Sequence, residues 1–124
     1  MSPFTCLDAI APQLLAVGYL TRALHGQNVT MAIVEIDPGA ELPEHRHENE
    51  QLGLVIEGSV RFRVGAEERT LGPGETWQIT SNTPHAVKAG DGGALVMDVF
   101  SPPRLEWSAL AELDPRAASW PSGG

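Results

Sequence analysis

An all-β sandwich or barrel is the fold this sequence predicts, and three observations predict it. Between Gln13 and Phe100 the chain is a series of short runs rich in β-branched, aromatic and leucine residues. Within several of them apolar and polar residues alternate, as they do on a strand with two different faces. Turn chemistry separates the runs at short intervals: His25-Gly26-Gln27-Asn28, Asp37-Pro38-Gly39, Gly65-Ala66-Glu67, Gly72-Pro73-Gly74-Glu75 and Gly90-Asp91-Gly92-Gly93.

Taken in order, Val17 to Leu24 reads as a strand and Val29 to Ile36 as the next, ending where Pro38 fixes φ and Gly39 permits a positive one. Leu52, Leu54 and Ile56 alternate with Gln51, Gly53 and Val55, which puts an apolar row opposite Gln51 and predicts a strand covered on both sides. Val60, Phe62 and Val64 repeat the alternation, residues 65–67 turn a hairpin, and its return ends at Leu71. Trp77 and Ile79 follow the next turn, and Val87 follows His85. Ala94 to Phe100 is a nearly continuous apolar strand interrupted by Asp98. Past Arg104, residues 105–113 have the content of a short C-terminal helix, and residues 108–124 read as a loosely ordered tail. A barrel core over 13–107 within a single domain, 1–124, is the expected organisation, with no internal repeat.

Length and charge narrow the function. A chain of 124 residues buries a core without covalent staples. One cysteine, Cys6, allows no intramolecular disulfide and fits a reducing cytoplasm. The start, MSPFTCLDAI, lacks the basic region of a secretory signal, and no apolar run reaches membrane-spanning length, so a cytoplasmic location is expected. A formal charge of -8 argues against nucleic-acid or anionic-membrane partners, which are bound through clustered Lys and Arg. An anionic substrate would therefore depend on positive charge inside its pocket.

Chemistry concentrates in residues 39–58. His45 and His47 point to one side if the segment is extended, Gln51 lies four residues beyond, and His85 follows Ser81-Asn82-Thr83-Pro84. Imidazoles converging from separate strands can hold a divalent ion and leave coordination positions open. The histidine pair alone fits a wet strand edge equally well; Gln51, His85 and the flanking glycines favour the metal site. His25, in a polar turn, reads as solvated.

Those residues carry a resemblance. Gly39, His45, His47, Gln51 and Gly58 match the first cupin motif, G-x5-H-x-H-x3-E-x6-G, with Gln51 where most cupins have glutamate. Gly74 and His85 match the second, while Thr80, Asn82 and Ala89 replace its usual proline, glycine and asparagine. The sequence thus resembles the cupins, which implies a double-stranded β-helix, or jelly roll. It also implies a divalent transition-metal ion (Zn, Ni, Mn or Fe) held by His45, His47, Gln51 and His85. Cupins of this size commonly associate through sheet faces and N-terminal strands, so a homodimer is expected. Gln51 in place of glutamate removes a negative charge from beside the ion and strengthens its Lewis acidity.

A second constellation is Asp98-Val99-Phe100-Ser101-Pro102-Pro103-Arg104. Asp98 and Phe100 share a face of an extended strand. A carboxylate in an apolar strand is costly unless paired or wet, so Asp98 lines a polar cavity or faces solvent. The two prolines fix where Arg104 can reach. Spacing alone favours the plain alternative of a surface aspartate, a core phenylalanine and a surface arginine. The combination of HRHENEQ with DVFSPPR, however, is similar to the cupins of pectin degradation that linearise unsaturated monouronates. That resemblance, over roughly Pro38 to Trp107, implies a small anionic sugar-acid substrate, a 4-deoxy-4,5-unsaturated uronate. Arg104 would clamp its carboxylate, Asp98 would act as base on the anomeric hydroxyl, and Phe100 would wall the site. The competing expectations are a metal-dependent cupin oxygenase and a non-catalytic sugar-acid-binding cupin. Arg61 and Arg63 are read as a solvent-facing row or part of the pocket mouth, Glu50 as a partner of the site or an exposed carboxylate, and Trp77 and Trp107 as packing residues.

Overall fold

In the computed structural model the described residues, 2–121, form eight antiparallel strands. They are β1 (Gln13–Ala16), β2 (Tyr19–His25), β3 (Thr30–Ile36), β4 (Glu41–His45), β5 (Glu50–Val64), β6 (Glu67–Leu71), β7 (Thr76–Ile79) and β8 (His85–Ser101). The two longest, β5 and β8, bend in mid-course, so each serves two sheets. The first half of β5 pairs with the second half of β8, from Glu50↔Ser101 to Gly58↔Ala94, with β7 outside β5 and β3, β2 and β1 outside β8. Their other halves pair from Val60↔Ala89 to Val64↔His85, with β6 and β4 at the two edges. Val34, Ile36, Val55 and Val96 of one sheet share a buried cluster with Phe62, Val87 and Ala89 of the other. This is the expected jelly roll, with the core between its two sheets.

The bends explain a difference from the sequence reading. Gly90-Asp91-Gly92-Gly93 has the composition of a turn, yet β8 continues through it. Opposite it, β5 carries irregularities between Val55 and Glu57 and between Gly58 and Val60, so both strands turn the same corner together. Gly58 and Gly93 both have φ of +77°, and a Cβ on Gly58 would lie 2.1 Å from the Gly93 carbonyl oxygen. Gly58→Ala is therefore expected to cost at least about 2 kcal/mol, lowering the melting temperature by roughly 8 °C in a thermal scan. An unchanged melting temperature would show that the corner tolerates a side chain.

Three smaller corrections have similar local causes. β2 begins at Tyr19 rather than Val17, because Gly18 takes a φ of +81° in the preceding turn and its carbonyl accepts the Asp37 N–H. The helix expected over 105–113 is a single 3-10 turn, Leu105–Ala109. Beyond it the chain extends along β1, where Ala111 O accepts from Leu14 N, Leu113 N donates to Pro12 O, and Glu112 bridges Gln13. Further along the segment read as loose, Arg116 O accepts a hydrogen bond from buried Arg22. The apolar row opposite Gln51 lies on the outer face of its sheet, where Leu52 is 46 % exposed, so nothing in the described chain covers it fully. No helix among the described residues is long and apolar enough to cross a membrane.

Candidate metal centre and the cavity around it

The cavity between the sheets, about 160 Å³, is lined by His45, His47, Gln51, His85, Asp98, Phe100 and Arg104 together with apolar side chains. All seven site residues singled out from the sequence thus border one space. His45 ends β4, where it pairs with His85 at the start of β8. His47 lies in the loop between β4 and β5, and Gln51 is the second residue of β5. Gln51 pairs with Phe100, and Gly53 with Asp98, so alternation brings Gln51, Asp98 and Phe100 to the same inner face.

The histidines are oriented by backbone carbonyls. His45 Nδ1 lies 2.9 Å from Pro43 O, His47 Nδ1 3.0 Å from Asn49 O, and His85 Nδ1 2.8 Å from Thr83 O. Each Nδ1–H donates to its carbonyl, which leaves a lone pair on each Nε2. Ligand atoms from the three residues lie within 4.8 Å of one another. The His45 and His85 rings are 4.2 Å apart, and those of His47 and His85 4.9 Å.

Two observations fit a cation at this point. His85 Nε2 is buried with no hydrogen-bond partner. His47 Nε2 lies 3.2 Å from Gln51 Oε1, and in the tautomer that Asn49 imposes both atoms are acceptors. Two such atoms repel unless something positive lies between them. Donors about 2.1 Å from one ion, at tetrahedral or octahedral angles, sit roughly 3.0–3.4 Å apart. The orientation of Gln51 follows from its other end, where Nε2 donates to Asp98 Oδ1 at 2.9 Å. Burial lowers the pKa of His85 to about 4 and also lowers that of His47, so both stay neutral and available as ligands.

The unusual second motif still delivers His85. Asn82 adopts a φ of +60°, the left-handed conformation that asparagine tolerates better than most residues. Its N–H donates to His47 O at 2.8 Å, tying the His85 loop to the first motif. Thr80 and Thr83 close the turn through their hydroxyls, 2.8 Å apart.

Asp98 faces the cavity, not solvent. It accepts from Gln51 Nε2 and, at 3.0 Å, from Trp77 Nε1. Both donors fall on Oδ1, leaving Oδ2 to the cavity. Burial raises its pKa to about 6, the range in which a carboxylate serves as a base near neutral pH. Arg104 sits at the rim, its guanidinium carbon 4.9 Å from the ring centres of both Phe100 and Trp107. Its backbone N–H donates to buried Thr30 Oγ1, and its Nε–H to Glu106 at 2.7 Å. The Nη groups carry its remaining donors.

Trp77 and Trp107, read from the sequence as packing residues, do pack in the core but also touch the site, and Asn49, to which the sequence reading assigned no role, orients His47. A buried indole N–H needs a partner, and for Trp77 that partner is Asp98. Arg61 and Arg63 pair with Glu68 and Glu44 on the surface, neither lines the cavity, and Glu50 is exposed.

A jelly roll that gathers three imidazoles and an amide from its two motifs defines the class. Residues 32–100, more than half of the chain, match the cupin domain, and the chain belongs to the cupin family. Over 81 residues it is 28% identical to the pectin degradation protein KdgF of Dickeya dadantii strain 3937, covering 64% of this chain and 74% of that one. Its structure matches KdgF from Halomonas sp. with a TM-score of 0.78 and 28% identity, over 86% of this chain and 98% of that chain. An RmlC-like cupin from Shewanella frigidimarina NCIMB 400 shares the fold, with a TM-score of 0.80 at 21% identity over 86% and 96% of the two chains.

Proposed function

We propose that the protein is a metal-dependent cupin enzyme that opens a 4,5-unsaturated monouronate to its 5-keto-4-deoxy form. The observation that carries this reading is the placement of an arginine and a buried carboxylate around the same cavity as the converging histidines. Likeness to KdgF, a pectin degradation protein, supports the substrate class.

Arg104 holds the uronate carboxylate through its Nη groups, its plane steadied by Phe100, Trp107 and Glu106. Asp98 Oδ2 takes the proton from the anomeric hydroxyl. As the C1–O1 bond becomes a carbonyl, the bond from C1 to the ring oxygen breaks and its electron pair forms an enolate at C5. A proton added at C4 then gives the ketone, so the overall change is an isomerisation that consumes no water. A divalent ion held by His45, His47, Gln51 and His85 supplies Lewis acidity and counter-charge for the developing oxyanion. Phe100 and the apolar wall exclude water from the ring face.

Proton NMR of the metal-loaded protein with an unsaturated monouronate is the direct test, and loss of the vinylic signal is the expected result. A signal that persists through long incubation, with the sugar acid bound, would replace the enzyme by a binding protein; oxygen uptake would favour an oxygenase. Arg104→Ala is expected to raise KM at least about tenfold with a smaller change in kcat. An unaltered KM would mean that the carboxylate is held elsewhere.

The outer sheet face supports a homodimer. Leu24, Met31, Val99 and Leu52 lie side by side across β2, β3, β8 and β5, and three of the four are more than 40 % exposed. Such a stripe is better covered by a second copy than left to water. Sedimentation at micromolar concentration is expected to give a dimer, and a clean monomer would refute it.

A further inference from the structure

We propose that Trp77 is a positioning residue: its indole N–H, admitted across β5 by the missing side chain of Gly53, fixes Asp98 and, through Asp98, the end of Gln51 that meets the histidines. Trp77 and Asp98 stand on opposite sides of β5, each paired in register with Gly53. Their strands are therefore two sheet spacings apart, about 10 Å, too far for most side chains to meet in a hydrogen bond. The indole spans the gap by lying over the Gly53 backbone. A Cβ at position 53 would come within 2.3 Å of Trp77 Cε2, 2.4 Å of Nε1 and 2.5 Å of Cζ2. Any residue but glycine would push the indole off its course. Behind it, Phe62 packs against the ring at 4.8 Å between centroids.

The consequence passes through one oxygen. Asp98 Oδ1 accepts from both Trp77 Nε1, at 3.0 Å, and Gln51 Nε2, at 2.9 Å. With Oδ1 fixed, the amide of Gln51 must turn its NH2 to Asp98 and its Oε1 to His47, the only orientation in which it presents a donor atom to a cation. Without the indole N–H the carboxylate is free to rotate, and the amide loses the contact that selects its oxygen. The same N–H also aims Oδ2 at the cavity, so this inference rests on the reading of Asp98 as the base.

Trp77→Phe keeps an aromatic ring against Phe62 and removes the N–H. Zn²⁺ affinity, measured on the full chain by competition with a chelator and without substrate, is expected to fall roughly 3- to 10-fold. With an unsaturated monouronate, kcat should fall about tenfold while KM moves less than twofold. In an Asp98→Ala background the same substitution is expected to leave Zn²⁺ affinity where Asp98→Ala alone put it, because the relay is already cut. Unchanged affinity in the single variant would overturn the proposal, and so would an equal loss in both backgrounds, which would mark Trp77 as packing only. Because the Zn²⁺ measurement uses no substrate, a protein that turns over no uronate would sink the proposed reaction and leave this result readable.

Discussion

His85→Ala is expected to weaken Zn²⁺ binding on the order of 1,000-fold and to abolish activity with it. Loss of a group that merely orients a ligand costs about 10- to 100-fold in affinity, so loss of a ligand costs more. Position 85 is the sharpest choice among the three histidines. Its ring is almost fully buried, its Nδ1–H is committed to Thr83 O, and its Nε2 has no protein partner. Burial also lowers its pKa to about 4, so at neutral pH the nitrogen carries a lone pair and nothing in the protein uses it. The measurement is metal content after dialysis, together with a melting curve with and without added Zn²⁺. An ion that binds only the folded state raises the melting temperature by an amount that grows with the logarithm of its affinity. The parent should show that rise and the variant should not. A His85→Ala protein that kept a tight equivalent of zinc would move the metal away from this triad.

The sequence exposed the histidines and Gln51 because motif spacing survives folding: the one residue between His45 and His47, and the three between His47 and Gln51, are set by local strand and loop geometry. The second motif was harder to read. Asn82 differs from glycine in every chemical respect except its tolerance of a positive φ, and only the observed +60° shows that this tolerance is what the loop uses. Composition misled at Gly90–Gly93, since glycines that reverse a chain and glycines that bend a strand look alike until the irregular partner strand is seen. The links Trp77–Asp98 and Trp107–Arg104 were hidden for another reason. The first requires knowing that Gly53 lies between its two residues in the sheet, and the second requires a 3-10 turn that brings residue 107 back under residue 104. Alternation placed Leu52, Leu54 and Ile56 on one face, but alternation says nothing about what covers a face.

Asp98→Ala is expected to lower turnover by roughly 100-fold or more while three histidines still hold a full equivalent of metal. A second substitution separates the two tasks this residue performs. Asp98→Asn keeps a carbonyl oxygen in place of Oδ1, able to accept from Trp77 and Gln51 as the carboxylate does. It replaces the second oxygen by an amide nitrogen that has no basic lone pair. The Asp98→Asn protein should therefore lose turnover as fully as Asp98→Ala yet bind Zn²⁺ nearly as tightly as the parent. Asp98→Ala should show the additional, smaller loss of affinity that comes from releasing Gln51. Steady-state kinetics on an unsaturated monouronate and chelator competition on the same preparations give both numbers. Retained turnover in Asp98→Asn would exclude the carboxylate as the base, because the amide cannot take a proton. Equal Zn²⁺ affinity in both variants would leave the base role intact and show that Gln51 keeps its orientation without Asp98.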